Sequence, residues 1–247
     1  MKTKKRILNR AKTLEYLNNL AGASGKAVTL CLPPLLSSDE VQGVCKEADI
    51  PEDVHSQLIK HAAGSATGCY VFWNAGQKCL VIPPFPTTEK QAVQPLDLAH
   101  LRSRLEHDQV IALVLIRLGA YAVGVSRGEK LVSSKVGTGL VHGRHRQGGS
   151  SSHRFERHRD KQIETFLNRV CEHVHETIGP YVKNLDYVVY GGARDTIQLL
   201  QKYCPLLMKL ETTVLPPLLD IPDPRQEVLE KAVGRVWSST VMEWNEV

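Results

Sequence analysis

The sequence predicts a mixed α+β protein in two parts. A mixed sheet with flanking helices is expected over 108–247, preceded by a smaller α+β domain over 1–95, with a linker or helix at 96–107. Three observations predict this. Strand-like apolar runs and helical apolar stripes both recur along the chain, so each part holds both element types. The stretch "PFPTTEKQAVQPL" at 84–96 is Pro-rich and aperiodic, and reads as an interdomain linker. The length of 247 residues suits one large domain or two small ones, with a sizeable core.

In the first part, "TLEYLNNLAG" reads as a short helix ended by Gly22. "KAVTLCLP" is a run of β-formers closed by Pro33 and Pro34. Helices are expected from the "SSDE" caps at Ser37 to Glu40, and from Pro51-Glu52-Asp53, where proline and acids suit a first turn. "GCYVFWN" and "QKCLVIPP" flank Ala75-Gly76 as the two arms of a β-hairpin.

The second part is more regular. "QVIALVLIRL", "AYAVGVSRG" and "EKLVSSKVG" are three strands joined by short glycine-containing turns, an antiparallel meander. A basic loop follows. Ile163, Phe166, Leu167, Val170 and Val174 then mark a long helix at 3.6-residue spacing, closed by Gly179-Pro180. "LDYVVY" is a strand, Gly191-Gly192 a turn, "RDTIQLLQKY" a helix, "LLMKLETTVL" a strand and "RQEVLEKAVGRVW" a helix. The order βββαβαβα gives an RNase H-like mixed sheet with helices on its faces.

The net charge of +5 is unevenly placed. "MKTKKRILNRAK" at the start carries six Lys and Arg and no acid. Two basic segments on an acidic body suggest a polyanionic partner, nucleic acid or a membrane surface. The six cysteines show no C-x-x-C spacing and read as reduced, buried thiols of a cytoplasmic protein. No apolar segment follows the basic start, so no signal peptide is expected. The longest apolar run, "VIALVLI", is too short to span a bilayer, and no membrane partner is expected.

Several motifs dissolve on inspection. "GASGKA" is not a P-loop, because Leu20 stands where the first glycine belongs and Ala27 where Ser or Thr belongs. "YGGARD" lacks G-x-G-x-x-G and reads as a tight turn rather than a phosphate cradle. His142, His145, His153, His158, His173 and His175 combine with no cysteine at finger-like spacing, so no metal and no cofactor are expected. A two-metal nuclease needs carboxylates on adjoining strands, whereas the first strand is apolar from Val110 to Ile116 with Asp108 only at its entrance.

The stretch "HGRHRQGGSSSHRFERHRDKQ" at 142–162 carries the chemistry. Gly148 and Gly149 admit backbone conformations closed to other residues and let the main chain approach a ligand. Arg144, Arg146, Arg154, Arg157 and Arg159 are forked donors suited to phosphates, with His145, His153 and Lys161 beside them. Ser150, Ser151 and Ser152 are N-cap candidates for the following helix. Cations in its first turns oppose the helix dipole, which points to an external polyanion, RNA, as compensation.

This segment resembles the Gly-Gly-Gln loop and following helix of archaeal and eukaryotic class-one peptide chain release factors. His142-Gly143-Arg144 matches the family's lead-in, and Arg154-Phe155-Glu156-Arg157-His158-Arg159 matches the start of its helix. The strand ending in "YGG" fits the same middle domain, and the resemblance spans about 108–203. Residues 1–95 show no codon-reading motif, and the chain is expected to lack the further domain that engages a translational GTPase. A shortened, codon-blind relative resembles the Vms-like branch, which releases nascent chains from stalled ribosomes or split large subunits. The resemblance implies as partners the ribosomal large subunit, with the rRNA of its peptidyl-transferase centre, and peptidyl-tRNA.

The family's glutamine falls at Ser150, so this chain reads Gly148-Gly149-Ser150, with Gln147 just before the glycines. The resemblance thus implies catalytic roles for Gln147, Gly148, Gly149 and Ser150. Three functions follow: a codon-independent peptidyl-tRNA hydrolase, a ribosome- or tRNA-binding factor without hydrolysis, and a tRNA-cleaving enzyme on the same scaffold.

Overall fold

The computed structural model describes residues 2–21, 28–48, 50, 52–73, 78–87, 91–93, 97–143, 152–210 and 214–245. The chain forms two compact units: residues 1–107 together with 235–247, and residues 108–234.

The first unit contains strand β1 (Lys2–Leu8), helix α1 (Arg10–Ala21), β2 (Val28–Leu32), α2 (Ser38–Glu47), α3 (Glu52–Ala62), β3 (Cys69–Trp73), β4 (Lys78–Ile82), β5 (Gln91–Val93) and α4 (Ala99–Glu106). The final strand β10 (Ser239–Asn245) completes it, and the sheet order is β1-β10-β4-β3-β2-β5. Every pairing in it is antiparallel. Strand alternation sends Leu30, Leu32, Val71, Leu80, Met242 and Trp244 to one face, where Val41, Val44, Val54 and Leu58 of α2 and α3 cover them. Cys31, Tyr70, Phe72, Cys79, Val81 and Val241 go to the other face, against Tyr16, Leu17 and Leu20 of α1 and Leu101 and Leu105 of α4. Burial on both faces is why these strands read as unbroken apolar runs. Helix α2 begins at a capping box: the Glu40 amide donates to Ser37 Oγ at 3.3 Å, and the Ser37 amide donates to Glu40 Oε2 at 2.8 Å.

Three expectations change here. The basic N-terminal segment, read only as a charged run, is a strand: β1 pairs with β10 from Lys2↔Asn245 to Leu8↔Ser239. Its lysines suit an edge strand, where charge discourages pairing with a second chain, and Arg6 is bonded to Glu243 at 2.5 Å. The stretch 84–96 is not a plain linker, since β5 pairs with β2. The second domain does not run to 247: β10 lies between β1 and β4, and α4, in the 96–107 segment, contributes Leu101 and Leu105 to the first unit's core. β10 is an interior strand, paired with β1 along one edge and β4 along the other, with Val241 and Trp244 buried on opposite faces.

The second unit holds β6 (Val110–Arg117), β7 (Ala120–Arg127), β8 (Lys130–Thr138), α5 (Ser152–Ile178), a 3-10 segment (Gly179–Asn184), β9 (Tyr187–Gly192), α6 (Arg194–Tyr203) and α7 (Pro205–Lys209). Helix α8 (Gln226–Val236) follows, its last residues entering the first unit. The sheet order is β8-β7-β6-β9, antiparallel except for the parallel pair β6–β9. Val110, Ala112, Val114 and Ile116 meet Phe166, Leu167, Val170 and Val174 of α5 and Ile197 and Leu200 of α6 in one core. Leu206 to Lys209 of "LLMKLETTVL" lie in α7, opened by Pro205, rather than in a strand, and among the described residues Val214 and Leu219 touch β9 as single parallel bridges to Val188 and Gly191. Gly192 explains the double glycine. Its φ is +118°, and a Cβ there would lie 2.0 Å from Ile116 O, so no other residue fits.

Candidate nucleic-acid interface

The candidate site lies where β8 hands the chain to α5. Residues 144–151 fall outside the described residues, so Arg144, His145, Arg146, Gln147, Gly148, Gly149 and Ser150 do too. The exit side is built by close packing of β8 on α5. A Cβ on Gly137 would stand 2.3 Å from the Tyr121 hydroxyl, and one on Gly139 would stand 2.6 Å from the Phe166 ring. The Tyr121 hydroxyl bonds His173 Nδ1 on α5, and the Tyr121 and Phe166 rings meet edge to face at 5.9 Å. Burial raises the Tyr121 phenol above its ordinary range, opposed by Arg169 and helped by Glu176. Arg169 donates to Thr138 O at 3.4 Å.

Further along, α5 grips the chain itself. The His142 amide donates to Gln162 Oε1 at 3.1 Å, and Arg159 Nε donates to His142 O at 3.0 Å. Arg159 and Gln162, three residues apart, share a helix face and hold both sides of one residue's backbone. Gln162 Nε2 is 3.3 Å from His158 Nε2, which steadies the amide. The described chain is therefore fixed at His142 before this stretch and resumes in α5 at Ser152 after it.

The arginines separate by role. Arg154, Arg157 and Lys161 are exposed and spaced i, i+3, i+7, one stripe on the side of α5 opposite Ile163, Phe166 and Val170. Arg159 lies off that stripe, half-buried, and commits a donor to His142. His153 is within α5. Phe155 is 56% exposed between the basic positions, a surface aromatic suited to stacking on a base. The first turn of α5 holds no acid, so dipole and side chains together make this end electropositive. Sequence reasoning missed the gripping role of Arg159 and Gln162. The available signal was that Gln162 sits on the side of α5 adjoining the buried stripe.

The other places singled out in the sequence offer less. Val110 to Ile116 are all buried and apolar, so β6 presents no carboxylate. A cavity of about 500 Å³ at the start of α6 is lined by Arg117, Ala193, Thr196, Asp220 and Asp223, where two acids offset the arginine. Among the described residues no helix is long and apolar enough to cross a membrane.

Residues 109–242 match the family model of the Actinobacteria/chloroflexi VLRF1 release factor. The chain is similar to peptide chain release factor subunit 1 of Archaeoglobus fulgidus, 31% identical over 113 residues, which are 46% of this chain and 28% of that protein. It is also similar to the protein of that name from Picrophilus torridus, 25% identical over 209 residues, 73% of this chain and 51% of that one. The chain thus spans about half or less of the length of these curated relatives. Among solved structures it is similar to the archaeal translation termination factor aRF1, at 16% identity and a TM-score of 0.40, covering 93% of this chain and 73% of that chain. Since the matched residues make up more than half of its length, the chain belongs to the VLRF1 release-factor family, the Vms-like class-one branch that its 142–159 segment resembles.

Proposed function

We propose that this protein is a codon-independent peptide release factor, a peptidyl-tRNA ester hydrolase that works at the peptidyl-transferase centre of stalled ribosomes or large subunits in the cytoplasm. One observation carries the reading. The family match covers the unit in which α5 grips His142 on one side of Gly148-Gly149 and receives the chain at Ser152 on the other. Residues 144–151, Arg144, His145 and Arg146 among them, reach the centre while Arg154, Arg157 and Lys161 rest on rRNA or tRNA phosphates, with His153 beside them in sequence. Catalysis is positioning. A backbone N–H at Ser150, or the Gln147 side chain, orients water toward the ester carbonyl, and the glycines let the main chain come that close. Binding the helix stripe to phosphate offsets its cost against the dipole.

The scaffold we read as RNase H-like: a three-stranded meander, a parallel fourth strand beside its first strand, and the bridges at Val214 and Leu219 where a fifth strand would run. Ser150 in the glutamine's place favours a second reading, a factor that docks without hydrolysis.

The test is nascent-peptide release from purified large subunits carrying peptidyl-tRNA, with wild type, Gly149→Ala and Gln147→Ala compared and tRNA integrity followed. Release that collapses in Gly149→Ala with intact tRNA is expected. Tight, salt-sensitive binding without release would establish the docking factor, and a shortened tRNA would establish a tRNA-cleaving enzyme.

A further inference from the structure

We propose that Cys171, His175 and Cys204 form a zinc site of the two-cysteine, one-histidine type in the second unit, with a solvent water as fourth ligand. The ligand atoms of these three residues already lie within 4.8 Å of one another. A tetrahedral zinc site with bonds of about 2.0–2.3 Å requires ligand atoms about 3.3–3.8 Å apart. Bringing these atoms closer by about 1 Å would reach the separations a tetrahedral zinc ion requires.

Each ligand is held by an element that does not need the metal to exist. Cys171 and His175 are spaced i, i+4 on α5, one turn apart on one face. Cys204 sits at the junction of α6 and α7, its amide donating to Leu200 O at 2.9 Å and its carbonyl accepting from the Leu207 amide at 3.0 Å. Cys204 is fully buried and His175 is exposed, so the site lies at the rim of the core with one side open to water. Both cysteines are free thiols.

The donor set selects the ion. Two sulfurs and an imidazole suit zinc, whereas magnesium and calcium want oxygen. On binding, each thiol gives its proton to solvent as its sulfur bonds the metal, and His175 binds through a neutral ring nitrogen. The site would clamp the middle of α5 to the end of α6. Finger-like spacing rules miss it, because its third ligand comes from a different element.

The experiment uses the full chain, stripped of metal and reduced, titrated with cobalt(II) and then with zinc against a chromophoric chelator. Wild type should take up one equivalent with a thiolate-to-cobalt charge-transfer band, and zinc should displace the cobalt and raise the melting temperature. His175→Gln, an exposed change that leaves the core intact, should weaken zinc by more than the roughly 10- to 100-fold that losing an outer-shell partner costs. It should also abolish the rise in melting temperature. Cys171→Ser and Cys204→Ser should remove the charge-transfer band. A wild-type spectrum without that band, or a band unchanged in all three variants, overturns the proposal. So does a Cys171–Cys204 disulfide as the resting state of the purified protein, found by mass spectrometry.

Discussion

The first unit is closed by pairing of β1 with β10, while the second unit is built largely from neighbours. In the first, β10 enters the sheet between β1 and β4 and brings Arg6 against Glu243, 237 residues apart. In the second, β6, β7 and β8 are a continuous meander, and α5 packs back on them directly. Non-local pairing must overcome loop-closure entropy before its strands meet, whereas a meander pairs as it lengthens. The first unit is thus a closure problem, and the second is assembled largely from local pairings around α5.

Trp244→Ala should break the comparison most strongly. The indole is buried among Val41, Leu58 and Leu80, and truncating it should cost about 3–5 kcal/mol. Hydrogen exchange should show protection falling in β1, β4 and β10. A loss of protection centred on β6–β9 would mean that β10 does not close the first unit.

Gly137→Ala tests the second unit. The new methyl would meet the Tyr121 hydroxyl and break its bond to His173, at a cost of about 1–3 kcal/mol. Denaturant unfolding should report the loss, and peptide release should fall with it. An unchanged midpoint would show that β8 can move away from α5 freely, and the fixed position of His142 would no longer serve as an explanation.

The smallest expected effect is the most discriminating. Arg154→Ala with Arg157→Ala should leave stability within about 0.5 kcal/mol, as surface changes usually do. The same pair should flatten the salt dependence of ribosome binding by roughly 0.7 in log–log slope for each phosphate no longer neutralised. Arg159→Ala should lose about 1 kcal/mol of stability with the hydrogen bond to His142 O, and it should impair release more than binding. Identical behaviour of the three arginines would erase the distinction between stripe and grip.

Much of the second unit was legible because its signals are local. The 3.6-residue stripe from Ile163 to Val174 is α5, and the three β-rich runs are β6 to β8. Of the candidate site, the basic stripe could be read from spacing, while the grip of Arg159 and Gln162 on His142 could not. It depends on where β8 ends relative to α5, and nothing near residue 142 encodes that. The same limit hid Cys204 from Cys171 and His175.

By itself, the sequence determined the meander β6 to β8, the helices α5, α6 and α8 and the strand β9, that the 142–162 segment is basic and glycine-bearing, and which family it resembles. These follow from residue type and short-range periodicity, which act over a turn or a strand. The tertiary structure alone decided that the lysine-rich start is an edge strand, that β10 returns to the first unit, and that Arg159 serves the protein's own backbone. Each of those depends on pairing between distant segments, where the free energy lies in burying both faces of a sheet and satisfying its amides rather than in any local preference.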